Sequence, residues 1–229
     1  MHFLGLDWYF FDFDGTLVDT AGDILANMKR SYSAIERLKD AEPHAGLIGP
    51  SLQEMVKTLT PDISDAELKT FTEEYAKMYV LRDFRRTIYY PGAEELVLKL
   101  KSLGKKLGIV TNKPKRNLGF LFQKLGGFER FDLVCTPDML EGKEIEKPRM
   151  FEILINSGVS PKKAVMIGDA PTDITSAKSH GLFTVGLSGG YGKAASVISA
   201  VPDIMVLNLK ELFEKAEGTF LSKENRSGE

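Results

Sequence analysis

Two aspartates, Asp12 and Asp14, stand two residues apart at the end of the apolar run Trp8-Tyr9-Phe10-Phe11. An extended backbone returns side chains to one face every second residue, so the pair can meet on one side. One carboxylate can then act as nucleophile while the other handles protons. Further along come Thr111-Asn112, Lys147-Pro148, and Gly168-Asp169 with Asp173 four residues later. A carboxylate attacks phosphorus only where the phosphate's own negative charge is offset. Lys147 supplies a cation, Thr111 a hydroxyl donor, and Gly15 a backbone N–H open to phosphate. Asp169 adds a hard oxygen ligand that, with Asp12, suits Mg²⁺. Such an ion would bridge Asp12 and a phosphate oxygen, stabilise charge and orient the attack. Singly, each residue has a plainer explanation: a solvated turn for Asp-x-Asp, a strand-end hydroxyl for Thr111, a surface ammonium for Lys147, a helix N-terminus for Asp173. The chemistry rests on their joint placement.

That placement follows from the expected elements. A strand is expected over Trp8 to Phe13, followed by a turn at Asp14-Gly15. From Thr20 to Ile88 apolar and charged residues interleave at helical spacing, with breaks at Pro43 to Pro50 and at Thr60-Pro61-Asp62, and no strand-like alternation. After Tyr90-Pro91-Gly92 helices and strands alternate. Helices are expected at Ala93 to Leu103, Lys115 to Leu125, Arg149 to Ser157 and Thr172 to Ser179. Strands are expected at Leu107 to Val110, Phe131 to Cys135, Ala164 to Ile167, Phe183 to Leu187 and Ile204 to Val206. The fold class is therefore α/β, a parallel sheet with helices on both faces, carrying an inserted helical unit. The polar tail, Gly218 to Glu229, is expected to be loose. In open α/β sheets ligands bind at the carboxyl ends of strands, where every residue named above falls.

The same residues resemble the ordered motifs of the haloacid dehalogenase superfamily. Phe11-Asp12-Phe13-Asp14-Gly15-Thr16-Leu17-Val18-Asp19-Thr20 resembles its first motif and Thr111-Asn112-Lys113-Pro114 its second. Lys147-Pro148 resembles the third and Gly168-Asp169-Ala170-Pro171-Thr172-Asp173 the fourth. Tyr90-Pro91-Gly92, Gly189-Gly190-Tyr191-Gly192 and the loop Gly46-Leu47-Ile48-Gly49-Pro50-Ser51-Leu52 resemble the phosphoglycolate-phosphatase-like branch. The resemblance implies a Rossmann-like core over residues 1–19 and 89–229, with a helical cap over 20–88 whose loop reaches the substrate. It implies Asp12 as nucleophile and metal ligand. Asp14 would be the proton donor and then the base, its backbone carbonyl also on the metal. Gly15, Thr111, Asn112 and Lys147 would bind phosphate or substrate. Asp169 would hold Mg²⁺, with Asp173 in support. Ala170 and Pro171 fill positions where the family often has a polar residue.

The implied activity is Mg²⁺-dependent hydrolysis of a small phosphorylated metabolite through an aspartyl-phosphate, with phosphoglycolate first among substrates. A sugar phosphomutase, a nucleotidase or a pyrophosphatase would share this core. A dehalogenase needs neither a proton for the halide nor Mg²⁺, so Asp14 and the acids at 169 and 173 argue against it. A phosphonate-cleaving relative would need a cap lysine such as Lys57 or Lys77. A non-enzymatic module on this fold would be expected to lack Asp12 or Asp14. Arg82, Arg85 and Arg86 are candidates for an anionic leaving group, though a solvated helix end explains them more simply.

The bulk composition agrees with a soluble enzyme. The formal net charge of -2 and the lack of a long basic run set no field for a polyanion, so nucleic acid is not expected. No apolar run is long enough for a bilayer, and no secretory leader is read at the start, so the cytoplasm is the expected location. The single cysteine, Cys135, has no partner for a disulfide and reads as a buried thiol. The scattered histidines His2, His44 and His180 suggest neither zinc nor a Ser-His pair.

Overall fold

The computed structural model describes residues 3–81 and 83–224. In chain order the elements are β1 (Trp8–Phe11), β2 (Val18–Asp19), α1 (Ala21–Ser33), α2 (Leu52–Leu59), α3 (Asp65–Leu81), β3 (Ile88–Tyr89), α4 (Ala93–Ser102) and β4 (Lys106–Val110). They continue with α5 (Lys115–Leu125), β5 (Leu133–Cys135), α6 (Lys147–Asn156), β6 (Ala164–Gly168), α7 (Pro171–Ser179), β7 (Phe183–Leu187), α8 (Ala194–Ser199), β8 (Ile204–Val206) and α9 (Leu209–Glu224). Six strands form one sheet in the order β5-β4-β1-β6-β7-β8, every pairing parallel. The chain steps outward from β1 to β4 and β5, then crosses back to β6 on the other side. That reversal opens a crevice at the carboxyl end of β1, the ligand site of such folds.

Burial explains the strand sequences. Helices cover both faces, so a strand gains nothing from alternation and reads as a continuous apolar run. Tyr9, Phe10 and Phe11 in β1, and Val165, Met166 and Ile167 in β6, are all fully buried. Residues 20–88 hold α1, α2 and α3; α1 packs on α3 through Tyr32 against Phe71, with ring centroids 4.6 Å apart. Ser51 starts α2 with a capping box, its side chain exchanging hydrogen bonds with Glu54.

Three expectations need correction. The two-stranded antiparallel pair β2–β3 adds a short ladder where only helix and loop were expected: Val18 pairs with Tyr89 and Asp19 with Ile88. A two-residue strand is too short to show a period. The tail is not loose from Gly218; α9 continues to Glu224, because Ala, Glu, Lys and Leu favour helix strongly enough to carry one glycine. Residues 225–229 lie outside the described residues. β1 ends at Phe11 rather than Phe13, so Asp12 joins Asp14 beyond the strand. No described helix is long and apolar enough to cross a membrane.

Phe11→Ala should cost about 3–5 kcal/mol, the usual penalty for emptying an aromatic site in a packed core. Urea denaturation with an unchanged m-value would check it.

Candidate active site

Four segments converge at the carboxyl end of the sheet. Past β1 the backbone turns, with Asp12 N–H donating to Ile167 O and Phe13 N–H to Asp12 Oδ1 at 2.8 Å. Lys147 is the first residue of α6, where Pro148 is tolerated because first-turn N–H groups lack helical partners. Its buried Nζ lies 3.1 Å from Asp12 Oδ2 and also contacts Asp173 Oδ1. Asp173 sits in the first turn of α7 and accepts from Ala170 N–H at 2.9 Å through its other oxygen. Asp169 Oδ1 accepts from Thr16 Oγ1 at 2.8 Å, and its Oδ2 accepts from the N–H groups of Tyr191 and Gly192 at 2.7 and 3.2 Å.

Asp12, Asp169 and Asp173 each bring an oxygen within 4.8 Å of the others, all in buried residues. Burial, then the charge of neighbouring acids, pushes Asp12 up to about 7 against the pull of Lys147 and a backbone N–H. Burial and Asp12 push Asp169 up to about 6. Asp173 is raised too, by burial first, with Lys147 pulling the other way. Burial works against the Lys147 charge, but Asp12 and Asp173 outweigh it and hold its ammonium above the ordinary range. Asp12, Asp14, Asp169 and Asp173 thus face two ammonium groups, Lys147 and Lys113. With all four carboxylates ionised the charge left over is that of one divalent cation, and an all-oxygen donor set suits a hard one. The residues present fit a metal.

Asp14 stands apart from this trio. Both its oxygens accept from the buried Lys113 Nζ, at 2.8 and 2.9 Å, and Thr20 Oγ1 donates to it at 2.5 Å. Only its backbone carbonyl is left for the metal role expected of it. Asp12 and Asp14 both line a cavity of about 260 Å³ between the sheet's edge and the helical segment, along with Thr111 and Asn112. Thr111 is buried, its Oγ1 accepting from Lys113 N–H at 3.2 Å. Asn112 reaches across to the helical segment, donating to Gly49 O at 2.8 Å, in the loop expected to approach the substrate.

Gly15 is a correction. Its N–H donates to Val18 O at 3.0 Å and is not open to phosphate. What the position needs is a glycine: φ is +84°, and a Cβ there would lie 2.4 Å from Asp169 Oδ2. The turn must pass this close for Asp12 and Asp169 to meet. Cys135 is buried, as expected, and burial pushes its thiol up to about 11.

Two residues of the site carried no separate role in the sequence. Lys113 lies inside a motif without a signal of its own, and its pairing with Asp14 spans 99 positions. Tyr191 lay in the Gly189-Gly190-Tyr191-Gly192 run, whose glycines were the available signal. Its backbone N–H holds Asp169. Its hydroxyl donates to Asp19 Oδ1 and accepts from the N–H groups of Thr20 and Ala21, at 2.6 and 2.8 Å. One residue thereby ties the carboxylate cluster to the start of α1. Lys57 and Lys77 are exposed, and neither lines the cavity. Arg85 pairs with Asp83 in solvent, Arg86 lies against Gly22, and Arg82 lies outside the described residues.

A Rossmann-like sheet with this carboxylate cluster at its switch point defines a hydrolase class, and the chain belongs to it: residues 9–187 match the haloacid dehalogenase-like hydrolase family. The chain is similar to phosphoglycolate phosphatase of Pseudomonas putida, 29% identical over 88% of this chain and 76% of that protein. It is equally similar, at 29%, to phosphoglycolate phosphatase of Psychrobacter arcticus, over 89% of this chain and 90% of that one. Among solved structures, a predicted phosphoglycolate phosphatase of Haemophilus somnus superposes with a TM-score of 0.81 at 21% identity, covering 92% and 97% of the two chains. A predicted phosphatase of Clostridium acetobutylicum gives 0.78 at 24%, covering 92% and 97%. At these identities the superpositions speak for the fold.

Two outcomes follow. Asp12 and Asp169 are raised from 3.8 in the folded, metal-free chain. Their contribution to stability is therefore fully present below that value and lost as pH rises through about 6 to 7. A divalent cation should raise Tm more above this window than below it, and Asp12→Asn should weaken that pH dependence in a thermal-shift series. Tyr191→Phe should destabilise the fold by about 1–3 kcal/mol, since the N–H groups of Thr20 and Ala21 lose their acceptor; chemical denaturation would measure it.

Proposed function

We propose that the protein is a phosphatase that hydrolyses a small phosphate monoester through an aspartyl-phosphate on Asp12. The observation that carries this is the buried Asp12 carboxylate beside Lys147, one oxygen in a carboxylate trio and its side chain on the cavity wall. The names of the relatives point the same way.

In the proposed reaction an Asp12 oxygen attacks phosphorus, the P–O bond to the alcohol breaks, and that bond's electron pair goes to the alcohol oxygen. Asp14 gives that oxygen a proton. Water then attacks phosphorus, Asp14 takes its proton, and Asp12 returns as carboxylate with release of inorganic phosphate. Lys147 offsets the charge of the transferring group, and the Thr111 hydroxyl is free to donate to it. Asn112 ties the sheet edge to the Gly49 loop. Asp12, Asp169 and Asp173, with the Asp14 carbonyl, would hold the metal, for which we propose Mg²⁺. When bound, it supplies Lewis-acid stabilisation of negative charge. Residues 20–88 act as a cap on the core of 1–19 and 89–229, excluding water as they close about the β2–β3 pair.

Phosphate release from a panel of monoesters, headed by phosphoglycolate and run with Mg²⁺ and with a chelator, tests this reading. Release that stops with chelator is expected; no release from any ester would overturn it. Asp12→Asn should abolish turnover while the fold persists by circular dichroism. Asp14→Asn should slow alkyl phosphates by about 10²–10⁴-fold. It should slow p-nitrophenyl phosphate far less in the first step, because nitrophenolate leaves without a proton.

A further inference from the structure

We infer that the alcohol carried by the substrate is uncharged and presents an apolar face to the cap, an inference that rests on the phosphatase reading above. The phosphoryl end of the cavity is fixed by Asp12, Asp14 and Thr111, so the alcohol must extend toward the helical segment. That wall is built by Ile24, Ile48, Leu52, Met55 and the rings of Tyr75 and Tyr79. Among the described residues, no charged side chain from 20–88 lines the cavity. The rings of Tyr75 and Tyr79 pack on each other with centroids 5.9 Å apart. The polar groups on the wall, Ser51, Gln53 and Thr72, are all neutral.

The core side offers two cations, and both already have other partners. Lys113 has both oxygens of Asp14. Arg116 is exposed, lies 5.5 Å over the Phe120 ring, and shares the rim with the acidic Glu144. A carboxylate on the alcohol would lose water against an uncharged wall and gain no cationic partner there. A methyl in its place would gain from the same wall, roughly fourfold per buried methylene.

Ethyl phosphate and phosphoglycolate differ by a methyl against a carboxylate and make the deciding pair. The wild-type enzyme should give ethyl phosphate a kcat/KM at least about tenfold higher, and propyl and butyl phosphates should rise by roughly fourfold per carbon. Leu52→Lys, at the half-buried first residue of α2, should shift the ratio toward phosphoglycolate. Phosphoglycolate equal to or better than ethyl phosphate would overturn the inference. So would a selective loss of phosphoglycolate turnover in Arg116→Gln, since the rim arginine would then be a carboxylate clamp. Either result leaves the phosphatase standing. Absence of phosphate release from every ester, p-nitrophenyl phosphate included, is the different failure that removes the phosphatase reading itself.

Discussion

The site depends on burying like charges next to each other. Asp12, Asp169 and Asp173 each bring an oxygen within 4.8 Å of the others in a buried corner, where each would rather be neutral. Lys147 makes the arrangement tolerable by reaching two of them at once. Such a cluster is costly for folding, and a fold keeps that cost only where the rest of the structure over-determines it. Here the surroundings do so: α6 starts at Lys147, α7 starts two residues before Asp173, and backbone N–H groups fix Asp169 from the loop after β7. The excess negative charge is what a bound cation would relieve.

The connection between core and helical segment is short and specific. The paired strands β2 and β3 carry both crossings. Asp23, buried near the start of α1, accepts from Arg86 N–H and Thr87 Oγ1 just before β3. Tyr191 adds a third tie, from the loop that also holds Asp169. A displacement of α1 is therefore felt by the same residue that positions a carboxylate of the cluster. Asn112 and Gly49 meet on the far side of the cavity. The helical segment is thus held at its hinge and touched at its loop, with the cavity between.

Much of this was legible in the residues. The apolar runs of β1 and β6, the helical texture of 20–88 and the order of Asp12, Thr111, Lys147 and Asp169 along the chain are local facts, and sheet topology then sends strand ends to one edge. What was misread was equally physical. Gly15 was expected to offer its N–H to phosphate. A glycine signals either an exposed N–H or a close approach, and only the fold shows that this one passes Asp169 while its N–H closes a turn. Asp14 shares the cavity with Asp12, but its carboxylate is paired with Lys113, a partner 99 positions away that no spacing predicts.

By itself the sequence determined the fold class and the types of group that meet, because hydrophobic period and strand-end chemistry are encoded within short windows. Only the tertiary structure decided which groups face each other. Lys147 between Asp12 and Asp173, Tyr191 between Asp169 and α1, and an uncharged wall facing Asp12 and Asp14 across the cavity all join residues far apart in the chain. No local pattern carries such a pairing, because its energy arises only once packing has removed the water between the partners.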